Sequence, residues 1–216
     1  MTKIIGIIQI KGGAGRSTLA TNLAGELSKV GKTVIIDCDM PQGTSASWYA
    51  VRQEKGRSGN LTADTASTHR ELVSKVEQYS GADFIVLDSP PRIAEMTKAA
   101  LVLSDLCLIP VGASKPEIWA TSDILDLIEE AKTVKPINAR MIWTRYRPQT
   151  RLAQELTALA ATELKLTATE SLLGLRTAYP EALGEGLTVA ELSDQTAKSE
   201  IKALTAEVQK LLRKKL

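Results

Sequence analysis

Short, continuously apolar runs alternate along this chain with longer segments in which apolar residues recur every third or fourth position. Residues 3–10, 33–37, 83–88, 106–111 and 139–143 are runs of the first kind, bounded by turn residues, the pattern of strands buried on both faces. Residues 17–29, 69–79, 93–103, 117–132, 151–164 and 196–215 have the spacing of helices that bury one face. Alternation of the two predicts an α/β fold: a mostly parallel, twisted sheet with helices on both faces and ligands at the carboxyl ends of the strands. The polar stretch 52–68, with Gly56 and Gly59, predicts the one long loop, and no repeat or linker divides residues 1–216 into more than a single domain.

Composition narrows this picture at three points. With 44% hydrophobic and 24% charged residues among 216, the chain has the apolar material for one sizeable core. A formal net charge of +2 supplies no global basic field, so any nucleic-acid surface must come from local clustering. Cys38 and Cys107 lie in apolar runs without metal-ligand spacing and read as core residues of a chain kept in a reducing cytoplasm. The opening run IIGIIQI is too short to span a bilayer and lacks a cleavage site, so export is not expected.

The chemistry begins at Lys11-Gly12-Gly13-Ala14-Gly15-Arg16-Ser17-Thr18, between the first expected strand and the first expected helix. Glycines let backbone N–H groups close around phosphate oxygens, and the helix N-terminus adds positive potential. Gly12, Gly13, Ala14, Gly15, Arg16, Ser17 and Thr18 are therefore candidate ATP-binding residues, with the Ser17 hydroxyl placed to ligate Mg²⁺. The loop departs from G-x-x-x-x-G-K-[ST] because Ile10 takes the first position, Lys11 opens it and Arg16 replaces the phosphate-gripping lysine. A guanidinium is bulkier than an ammonium and donates as a fork, so retained binding with attenuated hydrolysis is expected.

Two further motifs supply carboxylates. In VIIDCDMPQGTSASW, Asp37 and Asp39 close a buried strand; they are assigned to the metal shell and an attacking water, the alternative being a helix cap. In FIVLDSPP, four apolar residues end in Asp88, which would hold Mg²⁺ through water, and Pro90 and Pro91 stop the strand. Ser17, Asp37 and Asp88 are thus the candidate metal residues.

These motifs in this order, followed by DLCLIPV and RTAYPEALGEGLTVAEL, make the chain resemble the ParA/MinD family of deviant Walker ATPases over nearly its whole length. The resemblance implies an ATPase whose homodimer sandwiches two ATP molecules, Lys11 reaching across to the partner's phosphates. Lys11 thereby joins the cofactor-binding set and, with Arg16, Asp37 and Asp39, the catalytic one. It also implies non-specific binding of nucleoid DNA by the ATP-bound dimer and slow hydrolysis stimulated by a ParB-like or McdB-like adaptor. The cargo would be a plasmid, a chromosome or a protein compartment, and the compact chain is compatible with the carboxysome-positioning branch. Met40 separates Asp39 from Pro41-Gln42-Gly43, one residue more than the family usually has, which predicts a bulge. A P-loop ligase of the dethiobiotin synthetase type is the metabolic alternative.

For DNA, Arg145, Arg147 and Arg151 cluster about a proline-containing loop and are favoured over the tail residues Lys210, Arg213, Lys214 and Lys215. The last helix places Ile201, Leu204, Val208 and Leu211 on one stripe, read as a packed closing helix in preference to a MinD-like membrane anchor. Trp48, Trp119 and Trp143 read as core or interface residues and His69 as a surface residue.

Overall fold

In a computed structural model, residues 1–91, 93–148 and 150–213 are described. Strands β1 (Lys3–Ile7), β2 (Thr33–Asp37), β3 (Leu61–Thr65), β4 (Phe84–Asp88), β5 (Leu106–Gly112) and β6 (Ala139–Thr144) are interleaved with helices. These are α1 (Arg16–Leu27), α2 (Thr44–Glu54), α3 (His69–Gln78), α4 (Ala94–Leu103), α5 (Lys115–Trp119), α6 (Ser122–Lys132), α7 (Arg151–Leu164), α8 (Ala178–Gly184) and α9 (Gln195–Arg213). The strands form one sheet in the order β3-β2-β4-β1-β5-β6, with every pair parallel.

Successive strand residues face opposite sides, and the core divides accordingly. Ile36, Ile85, Leu87 and Ile109 pack under α3, α4, α6 and α7, through Leu72, Met96, Ile128 and Leu156 among others. Ile5, Ile7, Ile35 and Val86 pack under α1, α8 and α9, with Trp48 of α2 joining them. Each fully buried side chain of this size contributes about 1.5–3 kcal/mol. The α9 stripe is spent here, since Ile201, Leu204 and Val208 are buried and Leu211 is partly buried against the same core, while Lys214 and Lys215 lie outside the described residues. Among the described residues no helix is long and apolar enough to cross a membrane.

Two expectations are corrected, and one helix escaped the apolar pattern. The stretch 52–68 is not one long loop: it holds the end of α2 and the edge strand β3, whose Asp64 carboxylate accepts from Lys75 Nζ and the Tyr79 hydroxyl, each at 2.7 Å. The segment 44–54 is helical although only Ser45, Trp48 and Arg52 are buried; Arg52 lies 5.5 Å over the Trp48 ring. The expected helix 117–132 is two helices, because the first begins at a Ser114 cap followed by Pro116 and ends before Thr121. Trp48 and Trp143 are buried, whereas Trp119 is exposed.

Candidate nucleotide-binding site

Sheet topology fixes the site before any side chain is considered. β1 lies between β4 and β5, so the chain leaving β1 enters the crevice at the carboxyl edge where strand order reverses. The parallel register sets Asp37 opposite Asp88 and Asp88 opposite Ile7, which brings both acids to the root of the β1–α1 loop.

The loop is built as its glycines require. Gly13 (φ 77°) and Gly15 (φ 91°) occupy left-handed backbone that a side chain disfavours, and Gly15 hands over to α1 at Arg16. Buried Ala14 is pinned from β6, whose Thr144 hydroxyl donates to Ala14 O at 3.0 Å. Gly12 and Gly13 are exposed, and Ser17 and Thr18 half-buried, in the first turn of α1.

Arg16 is buried beneath the loop. Its Nε donates to Ser89 O (2.8 Å), and Nη1 donates to Gln9 O (2.7 Å) and Lys11 O (2.6 Å). Nη2 alone is uncommitted to backbone and stands 3.6 Å from Asp39 Oδ2. One guanidinium therefore ties the start of the loop to the turn after β4. Buried Gln9 extends this tie, donating from Nε2 to Pro110 O (3.2 Å) and Thr121 Oγ1 (3.1 Å).

Asp37 organises the segment that follows it: Oδ1 accepts from Asp39 N–H (2.9 Å) and Oδ2 from Ala46 N–H (3.0 Å) in the first turn of α2. Its carboxyl is held above the usual range by burial, against those backbone bonds. The extra residue Met40 is taken up in a turn closed by Gly43 N–H donating to Asp39 O (2.8 Å), with a cis Met40–Pro41 bond.

Asp88 is fully buried. Oδ2 accepts from the Ser45 hydroxyl at 2.6 Å, and Oδ1 has no hydrogen-bond partner among the described residues. Burial, and then the neighbouring Asp37 charge, push this carboxyl up to about 7, with Ser45, Ser17 and Arg16 pulling the other way.

Lys11 and Arg145 meet at α5. Lys11 Nζ and Arg145 Nη2 each lie 3.2 Å from Glu117 Oε1, so Arg145 sits at the loop's mouth. Arg147 is exposed, and Arg151 pairs with Glu155 on its own helix at 3.1 Å. A cavity of about 280 Å³ opens beside Gly13, Gly15 and Thr18, walled by Leu173, Leu175, Tyr179 and Leu183. Sequence reading missed Gln9, Ser45, Glu117 and this wall; only the RTAYPEALGEGLTVAEL run hinted at the last.

A glycine loop at the switch point of a parallel sheet, with acids at the two adjacent strand ends, defines a P-loop nucleotide-binding protein. A family model described as an AAA domain matches residues 2–77. The chain is similar to the Maintenance of carboxysome distribution protein A of Halothiobacillus neapolitanus, 26% identical over 94% of this chain and 95% of that one. It is also similar to the chromosome-partitioning ATPase Soj of Thermus thermophilus, 28% identical over 71% of this chain and 74% of that one. Among solved structures, an ATP complex of Cyanothece McdA superposes with a TM-score of 0.79 at 16% identity, covering 100% of this chain and 98% of that one. In sequence and in fold the chain is thus similar to ATPases of the ParA/MinD type.

Proposed function

We propose that this protein is an ATP-dependent dimeric switch that positions intracellular cargo, hydrolysing ATP slowly. The observation that carries the reading is the alignment of Asp37 and Asp88 in register at the root of a glycine loop. The similarity to a carboxysome distribution protein over 94% of the chain supports a protein compartment as cargo, with an McdB-like or ParB-like adaptor as stimulating partner.

The residues fit Mg²⁺. Asp88 presents a buried oxygen without a partner, Ser17 stands beside it, and among the described residues no group of three or more His, Cys, Asp or Glu converges into a cage. That is the donor set of a cation that takes one or two protein oxygens and completes its shell with phosphate and water. Ser17 and Asp88 would hold it, with Asp37 behind them, and when bound it neutralises charge on the β- and γ-phosphates. The protein's own part is separate. Loop N–H groups would cradle the phosphates, Asp37 accepts from the Asp39 N–H, and Asp39, faced by Arg16 Nη2, would orient water. With Nε and Nη1 bonded to backbone carbonyls, the guanidinium has one nitrogen left for phosphate, which supports slow turnover.

In the proposed cycle the ATP-bound dimer holds nucleoid DNA non-specifically through Arg147 and Arg151, with Arg145 near the dimer's nucleotides. A MinD-like membrane role is disfavoured, because the apolar stripe of α9 is packed against the core. Calorimetry with Mg²⁺-ATP tests the reading: saturable binding is expected, and no binding at millimolar nucleotide overturns it.

A further inference from the structure

One carboxylate on the last helix gathers the wall of the cavity beside the phosphate loop. Glu200 of α9 accepts from Gly174 N–H (3.0 Å), from Arg176 Nε (3.0 Å) and Nη2 (2.7 Å), and from the Tyr179 hydroxyl (2.9 Å). All three donor residues line that cavity, whose remaining walls combine Leu173, Leu175, Pro180 and Leu183 with the loop glycines, Thr18, Thr144 and, on the loop side, Arg145, which is paired with Glu117. Four donors fill the lone-pair capacity of a carboxylate. The segment is drawn in closely, since a Cβ at Gly174 would come 2.9 Å from Glu200 Oε1 and 3.1 Å from Arg176 Nε.

We infer that Glu200 is the positioning residue of a nucleoside pocket. It holds residues 173–179 at the distance from the phosphate loop that admits a purine ring, and it removes their hydrogen-bond donors from play. Arg176, neutralised by Glu200, does not offer a competing phosphate site, and the base is taken by shape and apolar contact between Leu173 and Leu183. This rests on the reading of the neighbouring loop as the ATP site and adds to it the device that fixes the base. A built-in control lies about two turns further along the same helix. Glu207 accepts from Glu170 N–H and Ser171 N–H, each at 2.8 Å, so it anchors the same strand-like segment away from the cavity.

The experiment compares binding of Mg²⁺-ATP and Mg²⁺-tripolyphosphate by calorimetry in the full chain and in Glu200→Gln, Glu207→Gln and Tyr179→Phe. Glu200→Gln is expected to weaken ATP about tenfold and leave tripolyphosphate within about twofold, while Glu207→Gln leaves both unchanged. Tyr179→Phe, which removes one of the four bonds, is expected to weaken ATP about threefold and keeps the test alive if Glu200→Gln does not fold. Unchanged ATP affinity in the folded variants, or parallel loss of ATP and tripolyphosphate, overturns the role of Glu200 alone. Failure of the unaltered protein to bind either ligand overturns the nucleotide reading and this pocket with it.

Discussion

Lys11 is held by Glu117 within its own chain, Nζ to Oε1 at 3.2 Å, and Arg145 shares that oxygen. The cluster sits over Gly112 at the end of β5, where a Cβ would come 2.5 Å from Arg145 Nη2 and 3.0 Å from Glu117. The lysine is one-third exposed, so leaving Glu117 for a phosphate of a second subunit costs on the order of 1 kcal/mol or less. Lys11→Ala is expected to bind ATP as a monomer within a few-fold of the unaltered protein and to show no ATP-dependent dimer by light scattering. A dimer undisturbed by this change refutes the cross-subunit role.

Arg16 carries both a structural and a chemical expectation. Arg16→Ala would leave three carbonyls, of Ser89, Gln9 and Lys11, without their donor, and should cost on the order of 2–4 kcal/mol in denaturant melts. Arg16→Lys should lose part of that stability yet raise single-turnover hydrolysis, since a compact ammonium can sit between two phosphates. Slower hydrolysis in Arg16→Lys would mean that the loop has adapted to arginine.

Asp88 makes the metal-free protein sensitive to pH. Its carboxyl titrates at about 7 in the folded chain against 3.8 in the reference state. Between those values the native state keeps a proton that the unfolded chain has released, so this group's contribution to stability is lost as pH rises from about 4 through about 7. Asp88→Asn needs no proton and should melt higher than the unaltered protein at pH 8 without metal, by on the order of 2–4 kcal/mol. The order should reverse with saturating Mg²⁺-ATP. Identical melting of the two proteins across pH 5–8 contradicts the account.

For DNA, Arg147→Ala and Arg151→Ala are each expected to lower the slope of log K against log salt by roughly two per symmetric dimer, about 0.9 for each phosphate released. Arg145→Ala, drawn as it is to Glu117, should change the slope less. Filter binding with ATP at several salt concentrations measures all three, and binding indifferent to Arg147 and Arg151 moves the surface elsewhere.

How much the sequence revealed follows from where each contact is encoded. β1, β2, β4 and β5 are interior strands and carry unbroken apolar runs, so their signal is local and strong. β3 is an edge strand whose Asp64 and Thr65 face partly outward, and its polar sequence reads as loop. α2 buries an arginine in place of an aliphatic residue, Arg52 resting on Trp48 and paired with Glu191 at 2.7 Å, which apolar periodicity does not register. In the site, the glycine loop and the two strand-end acids are legible because each needs only its neighbours along the chain. Glu117 and Glu200 act through partners at Lys11 and Gly174, pairings that only the fold creates.

The order in which the pocket's parts occur along the chain has a consequence for synthesis. The phosphate loop is translated early, but the wall opposite it follows β6, the carboxylate that gathers that wall lies on α9, and Val189 N–H closes onto Asn22 of α1 at 2.7 Å. A ribosome-bound chain stalled before α9 has emerged would therefore carry the phosphate loop without its gathered wall, and the proposed base pocket would form only as α9 docks.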